Sequence, residues 1–226
     1  MIDIDSIISK NLNLLSKQGN CNRVYKLHQN NQTYLYRELL RDDRDRELEW
    51  NIHQKAYDLA ISSKPIVYDR EQGVMISSFI QAKHKGTLTL DEVVVLAWTL
   101  KKFHSIEIKS KFFEIDIKKQ TLQIKEAIQL VQKYPKEYVT SHNDLTTNNL
   151  LFSDDKIYLI DFEYAQSNDR YFDLASLCVE FSLDEVQTKL LMDSYFESGL
   201  YHIEKLKAYQ VIYKAISDEW FEENLY

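Results

Sequence analysis

The sequence predicts an α+β fold in two unequal lobes: a small antiparallel β-rich N-lobe over residues 1–80 and a mostly helical C-lobe over residues 81–226. Three observations carry this reading. Before residue 81 the chain offers short β-type runs in pairs, each pair divided by turn-forming residues. After Thr89 apolar residues recur at helical spacing behind cap signals. Between residues 138 and 160 brief apolar runs joined by polar loops interrupt the helices.

Residues 23–27 and 33–39 are rich in β-branched, aromatic and apolar side chains, and Gln29-Asn30-Asn31-Gln32 between them is turn-like, so they predict a hairpin. Residues 46–59 read as a helix. Residues 65–68 and 74–80 predict a second hairpin with Glu71-Gln72-Gly73 at its turn, and residues 80–85 would be the hinge between the lobes. Thr89-Leu90-Asp91-Glu92 is a capping box, in which hydroxyl and carboxylate satisfy exposed N–H groups at a helix start. Val93, Leu96, Ala97, Leu100 and His104 then share a face. A helix over about residues 117–133 is ended by Pro135, and Ser182-Leu183-Asp184-Glu185 reads as a second capping box. The last helix carries Leu206, Tyr209, Tyr213, Ile216 and Trp220 on one stripe. Residues 138–141, 150–152 and 157–160 form the embedded β-segments.

Composition narrows the partners. A net charge of −7 over 226 residues disfavours nucleic acid and anionic membranes, and suits a cationic small molecule. The longest apolar run, residues 93–98, is far too short to cross a bilayer. The N-terminal Met-Ile-Asp-Ile-Asp lacks signal-peptide features, so the expected location is cytoplasmic. Cys21 and Cys178 match no metal-binding spacing.

Chemistry concentrates in Ser141-His142-Asn143-Asp144-Leu145-Thr146-Thr147-Asn148-Asn149, followed by strand, turn, strand and then Ile160-Asp161-Phe162-Glu163-Tyr164. Phosphoryl transfer asks for a group that accepts or orients the attacking hydroxyl, and for hard oxygen ligands to Mg²⁺ on the nucleotide phosphates. Asp144 fits the first role. Asn149 and Asp161 fit the second, with His142 packing beneath the loop to orient it. A lone Asp before a strand is ordinarily a turn residue; the joint spacing, the flanking strands and the β-lobe upstream favour the catalytic reading. Together they predict the two-lobed protein-kinase-like fold, with ATP and Mg²⁺ as cofactors.

That fold also requires a cation on the β-lobe to meet the phosphates, held by an acid on the next helix. Arg37 is the candidate, although strand alternation leaves its face open. Glu49 is its partner of choice and Glu47 the competitor. The loop over the phosphates would be Gly19, Asn20 and Asn22, since Gly and Asn tolerate tight backbone angles.

The stretch Asp161-Phe162-Glu163-Tyr164, continuing through Asn168 and Arg170 to Phe172-Asp173, resembles the signature of choline and ethanolamine kinases. Gly19-Asn20-Cys21-Asn22, Arg37 in place of a lysine, and Arg46 three residues before Glu49 are similar to bacterial choline kinase-like proteins, within the aminoglycoside phosphotransferase and protein-kinase-like superfamily. Aminoglycoside kinases usually carry a Gly where this chain has Glu163. The resemblance implies transfer of the ATP γ-phosphoryl group to the hydroxyl of a small amine alcohol, choline or ethanolamine. It also implies that Glu180 is a pocket acid. A cationic substrate or a structural Arg would each satisfy a carboxylate bordering the apolar stripe of Leu174, Leu177 and Phe181. Tyr164, Tyr209, Tyr213 and Trp220 could form a cation–π cage, or the last three could simply pack a core-facing helix. Thiamine, an aminoglycoside or a sugar-like alcohol are alternative acceptors, and a nucleotide-binding module without catalysis is the alternative class. His53, His84 and His202 read as surface or packing residues, and His104 as an anchor at its helix end.

Overall fold

The computed structural model describes residues 12–15, 22–29, 31–41, 43–154, 156–197 and 199–224. An antiparallel sheet of five strands comes first, in the order β1-β2-β3-β5-β4: β1 (Leu12–Leu14), β2 (Asn22–Gln29), β3 (Gln32–Leu39), β4 (Pro65–Asp69) and β5 (Val74–Ser78). The β4–β5 turn uses Gly73 at φ +64°, a conformation that costs a residue without Cβ little. Helix α1 (Arg46–Asp58) connects β3 to β4 and is capped by the Asp45 side chain, which accepts the Leu48 N–H. The strand β1 was not expected from sequence.

Pairing fixes the two faces of the sheet. Tyr25 lies opposite Tyr36 and Leu27 opposite Tyr34, and these join Val74 and Ile76 in a small apolar cluster. Arg37, next to Tyr36, therefore points the other way, because successive side chains of a strand alternate.

The helical part holds α2 (Leu90–His104), α3 (Leu122–Gln132), α4 (Arg170–Glu180), α5 (Glu185–Phe196) and α6 (Ile203–Asn224). The capping box at Thr89 and Glu92 forms as expected. The predicted face of α2 is buried, with Val93, Leu96, Ala97 and Leu100 fully enclosed and His104 nearly so. Between the helices lie β6 (Tyr138–Ser141), paired with β9 (Gln166–Asp169), and the hairpin β7 (Leu150–Phe152) with β8 (Ile157–Leu159). One large core joins α2, the embedded strands, α4, α5 and α6. Among the described residues no helix is long and apolar enough to cross a membrane.

Two boundaries differ from expectation. Helix α3 begins at Leu122, capped by Thr121, because the Lys118 and Lys119 N–H groups are taken by the Glu219 carboxylate instead of opening a helix. The second capping box is Asp184 with Gln187, not Ser182 with Glu185. Ser182 sits at φ +48°, in the left-handed region just past the end of α4, and so cannot hold the extended backbone an N-cap adopts. The strand β9 was missed. Its Gln-Ser-Asn-Asp sequence lacks β-formers, and pairing with β6, helped by a bridge from Phe112 to Ser167, makes it a strand.

Candidate active site

The site forms where the loops after β6 and β8 meet the face of β3 opposite its apolar cluster. Both loops carry a backbone strain: Asn143 has φ +64° and Asp161 φ +65°, a region that Asn and Asp tolerate better than most residues. Each is held by its surroundings. Asn143 donates its side-chain amide to the Tyr164 carbonyl at 3.0 Å and accepts from the Asn168 amide at 2.8 Å.

Beneath the first loop lies a fully buried carboxylate. Asp173 on α4 accepts the backbone N–H of His142 at 2.7 Å and that of Asn143 at 2.9 Å, and meets Nε2 of His104 at 3.0 Å. The other ring nitrogen of His104 meets the Tyr195 hydroxyl at 2.6 Å. Burial alone would raise the Asp173 pKa, but the His104 hydrogen bond and the neighbouring histidines hold it below the ordinary carboxylate range. His142 itself is fully buried between Phe103 and Phe162, with ring centroids 5.8 and 5.4 Å away, and Nε2 bonds the Ile160 carbonyl at 3.0 Å. It thereby ties the two loops together, and burial keeps its ring neutral by lowering its pKa.

Above this floor Asn149, in a single 3₁₀ turn, donates Nδ2 to both the backbone carbonyl and the Oδ2 of Asp144, each at 2.8 Å. That use of its amide nitrogen leaves Oδ1 as the donor atom for a cation. Asp144 is pushed up to about 8, first by burial and then by the charge of Asp161. Asp161 rises to about 6, with burial and the nearby Glu163 and Glu49 opposing the attraction of Arg37.

Arg37 resolves the ambiguity of its strand. It donates to Glu49 Oε1 at 2.6 Å and to Asp161 Oδ1 at 2.8 Å, linking β3, α1 and the loop after β8. Burial would weaken its charge, yet Glu49 and Asp161 hold the guanidinium protonated above its ordinary range. Glu49 is buried and Glu47 is exposed beside Arg70, so the competitor is set aside. Arg46 completes the chain, donating to Glu49 at 2.7 Å and to Glu163 at 3.2 Å, while Asn22 donates to Glu163 at 3.2 Å. Asn22 is thus buried in this network. Gly19 and Asn20 fall outside the described residues.

The pocket residues divide. Glu180 accepts the Tyr213 hydroxyl at 2.8 Å and the Thr147 N–H at 3.3 Å, which sets both beside the loop that carries Asp144 and Asn149. Tyr164 stacks its ring under the Arg44 guanidinium at 4.1 Å and accepts from it at 2.8 Å. Tyr209 corrects an expectation. Its ring is enclosed and its hydroxyl accepts from Lys136 at 3.0 Å, so it packs α6 against the core instead of facing Glu180.

Sequence reasoning placed Asn143 in the central motif and Asn168 and Asp173 in the signature, but gave none of the three a site-building role. For Asp173 one signal existed: a carboxylate set among Phe172, Leu174 and Leu177 on a buried helix needs several donors. For Asn143 and Asn168 nothing local marks the pairing.

A magnesium ion on nucleotide phosphates is bound by one or two protein oxygens rather than a full cage. Asp161 and Oδ1 of Asn149 make such a hard-oxygen pair, and no group of three or more His, Cys, Asp or Glu set to hold a metal occurs among the described residues.

Over 126 residues the chain is 29% identical to the protein LicA of Haemophilus influenzae strain Rd, an alignment covering 54% of this chain and 45% of LicA. The chain therefore matches a little under half the length of that relative. The crystal structure of choline kinase LicA from Streptococcus pneumoniae superposes with a TM-score of 0.80 at 20% identity, covering 96% of this chain and 86% of the other. A structure of LicA in complex with AMP superposes at 0.76, also at 20% identity and with the same coverage of both chains. These superpositions show the kinase-like α+β fold. The model of the choline/ethanolamine kinase family matches residues 9–195, and with most of the chain inside that match, the protein belongs to the choline/ethanolamine kinase family.

Proposed function

We propose that the protein transfers the γ-phosphoryl group of ATP, with Mg²⁺, to the hydroxyl of a small amine alcohol, choline or ethanolamine. The observation that carries this reading is the convergence of Asp144, Asn149 and Asp161 on adjoining loops, with Arg37 bridging Asp161 to Glu49.

Each residue has a part that its chemistry suits. Asp144, its carboxyl pushed up to about 8 by burial and then by the charge of Asp161, accepts the proton of the attacking hydroxyl. The Asn149 amide fixes the Asp144 carboxylate through Oδ2, which orients the other oxygen towards the substrate. Arg37, locked by two carboxylates, presents a fixed positive charge where negative charge must be carried on the phosphates. When bound to the nucleotide, Mg²⁺ supplies further charge neutralisation, and Asp161 with Asn149 would hold it. Glu180, steadied by Tyr213, is a carboxylate beside the loop that meets the acceptor, suited to a cationic amine.

The test is Mg²⁺-dependent ADP release from ATP with choline, ethanolamine, thiamine and kanamycin offered in parallel, comparing wild type with Asp144→Ala. Turnover on choline or ethanolamine that disappears in the variant supports the proposal. Turnover only on thiamine or kanamycin, or nucleotide binding without turnover on any acceptor, defeats it.

A further inference from the structure

Four successive side chains of the loop after β8 meet β2, β3, α1 or the segment before α1. Asp161 accepts from Arg37, the Phe162 ring lies 5.7 Å from that of His53, Glu163 accepts from Arg46 and Asn22, and Tyr164 accepts from Arg44. Of these contacts, those of Glu163 close on themselves. Its Oε2 accepts Nη1 of Arg46 and Nδ2 of Asn22, each at 3.2 Å, and Nη2 of Arg46 donates to Oδ1 of Asn22 at 3.3 Å. The triangle has the first residue of β2, the first residue of α1 and the loop at its corners. The Glu163 side chain is only 5% exposed, against 33% for Asp161 two residues earlier.

We infer that Glu163 is a positioning residue for the nucleotide phosphates, fixing the distance between the sheet that carries Arg37 and the loops that carry Asp161 and Asp144. The inference rests on the phosphotransferase reading. Both partners of Glu163 lead to Arg37. Arg46 also donates to Glu49 at 2.7 Å, and Glu49 accepts from Arg37 at 2.6 Å. Asn22 pairs with Leu39 in the β2–β3 register that sets Val24 opposite Arg37. A shift of Asn22 or Arg46 therefore carries the guanidinium with it, and a misplacement of about 1 Å is enough to cost about 10²-fold in rate.

The direct bond between Arg37 and Asp161 does not make this tie redundant. Asp161 is the carboxylate that would also hold Mg²⁺, so it serves Arg37 and an ion together, whereas Glu163 is committed to protein donors. Nor does the fold depend on Glu163. Without it Arg46 keeps Glu49, and Asn22 keeps the bond from Arg46, so no buried charge is left unpaired.

The experiment compares wild type, Glu163→Ala and Glu163→Gln as full chains, by calorimetry with ADP and with AMP, and by steady-state kinetics with ATP varied. ADP carries a β-phosphate and AMP does not, so a positioning role separates the two nucleotides, whereas a general loss of structure weakens both. Glu163→Ala is expected to weaken ADP binding about tenfold and to raise KM for ATP to a similar extent, the scale of one hydrogen bond to a charged group. Its affinity for AMP and its KM for choline or ethanolamine should stay within about twofold of wild type. Glu163→Gln keeps an acceptor oxygen for Asn22 and should recover part of the loss. Equal weakening of ADP and AMP, or ADP affinity and KM for ATP both unchanged in Glu163→Ala, overturns the inference. If Glu163→Ala fails to fold, Glu163→Gln decides, and a wild-type ratio of ADP to AMP affinity there overturns it. Wild type that binds ADP but turns over no acceptor defeats the phosphotransferase reading, while the nucleotide comparison still decides the role of Glu163. Wild type that binds neither nucleotide overturns both.

Discussion

Asp173 accepts the backbone N–H of His142 from thirty-one positions further along the chain, at 2.7 Å and wholly shielded from water. It is the only support from a helix among the bonds described for His142 and Asn143, the others coming from the loop after β8 and from the strands β6 and β9. Because the carboxylate also meets His104, one side chain sets the height of the loop and the orientation of a histidine at the end of α2.

Replacing Asp173 with Asn keeps the shape but removes the charge and one acceptor. At least one loop N–H or His104 is left badly paired in a dry site, at a cost of about 2–4 kcal/mol. Thermal melting should fall accordingly, and turnover should fall more than stability explains, because Asp144 rides on the same loop. The measurement is the melting temperature alongside kcat at a temperature where the variant is fully folded. Unchanged kcat there would dissociate Asp173 from the catalytic loop.

Arg37 is a double bridge, so its replacement is graded. Arg37→Ala leaves Glu49 buried with one cation fewer and Asp161 without its partner. The loss of kcat/KM is expected to be about 10²-fold or more, in line with removal of a preorganised charged donor. Arg37→Lys restores a charge but not the fork that spans two carboxylates, and should recover only part of the rate. Steady-state kinetics with ATP varied would show both. A lysine variant at wild-type rate would mean that the two-carboxylate bridge is dispensable.

How much of this could be read from sequence depends on the range of each contact. Asp144, Asn149 and Asp161 were legible because a short loop and one hairpin fix their relative positions. Arg37 and Glu49 were half legible. Successive strand residues alternate faces and Glu47 is rotated about 200° from Glu49 on α1, so only the docking of α1 on the sheet decides the pair. Tyr209 and Tyr213 lie one turn apart on the same stripe, and the packing of α6 on α4 chooses which reaches Glu180. Asn143 and Asn168 act through contacts that no local pattern encodes, and Asp173 showed only as a carboxylate on an otherwise apolar helix face. Ser182 illustrates the opposite failure: its sequence context is a good cap, yet the tail of α4 takes it into the left-handed region.

Acid sensitivity should trace in part to His53. Its Nε2 lies 3.0 Å from the Ser63 carbonyl, and burial, with the Arg37 charge second, pushes its pKa down to about 4. An unfolded histidine titrates near 6.5, so between about pH 6.5 and 4 the unfolded chain binds the extra proton. The stability this neutral ring supplies is complete above about pH 6.5 and is lost as pH falls towards 4. Its slope is at most about 1.4 kcal/mol per pH unit. Melting temperatures from pH 7.5 to 4.5 should decline less steeply for His53→Gln than for wild type. Parallel curves would place the acid-sensitive group elsewhere.

The acceptor end of the site yields the most discriminating test. Glu180 is held by the Tyr213 hydroxyl at 2.8 Å and the Thr147 N–H at 3.3 Å, and neither partner is a cation. Glu180→Gln keeps both hydrogen bonds available and removes only the charge. If the carboxylate attracts a cationic amine, KM for choline or ethanolamine should rise about tenfold or more while KM for ATP stays within about twofold, since a full charge pair is worth more than a neutral hydrogen bond. Tyr213→Phe frees the carboxylate to rotate and should give a smaller rise of the same kind. A Glu180→Gln variant that lowers kcat for every acceptor alike, with KM unmoved, would make this carboxylate a support for Thr147 and the loop beyond it, and the amine would have to be recognised by other groups.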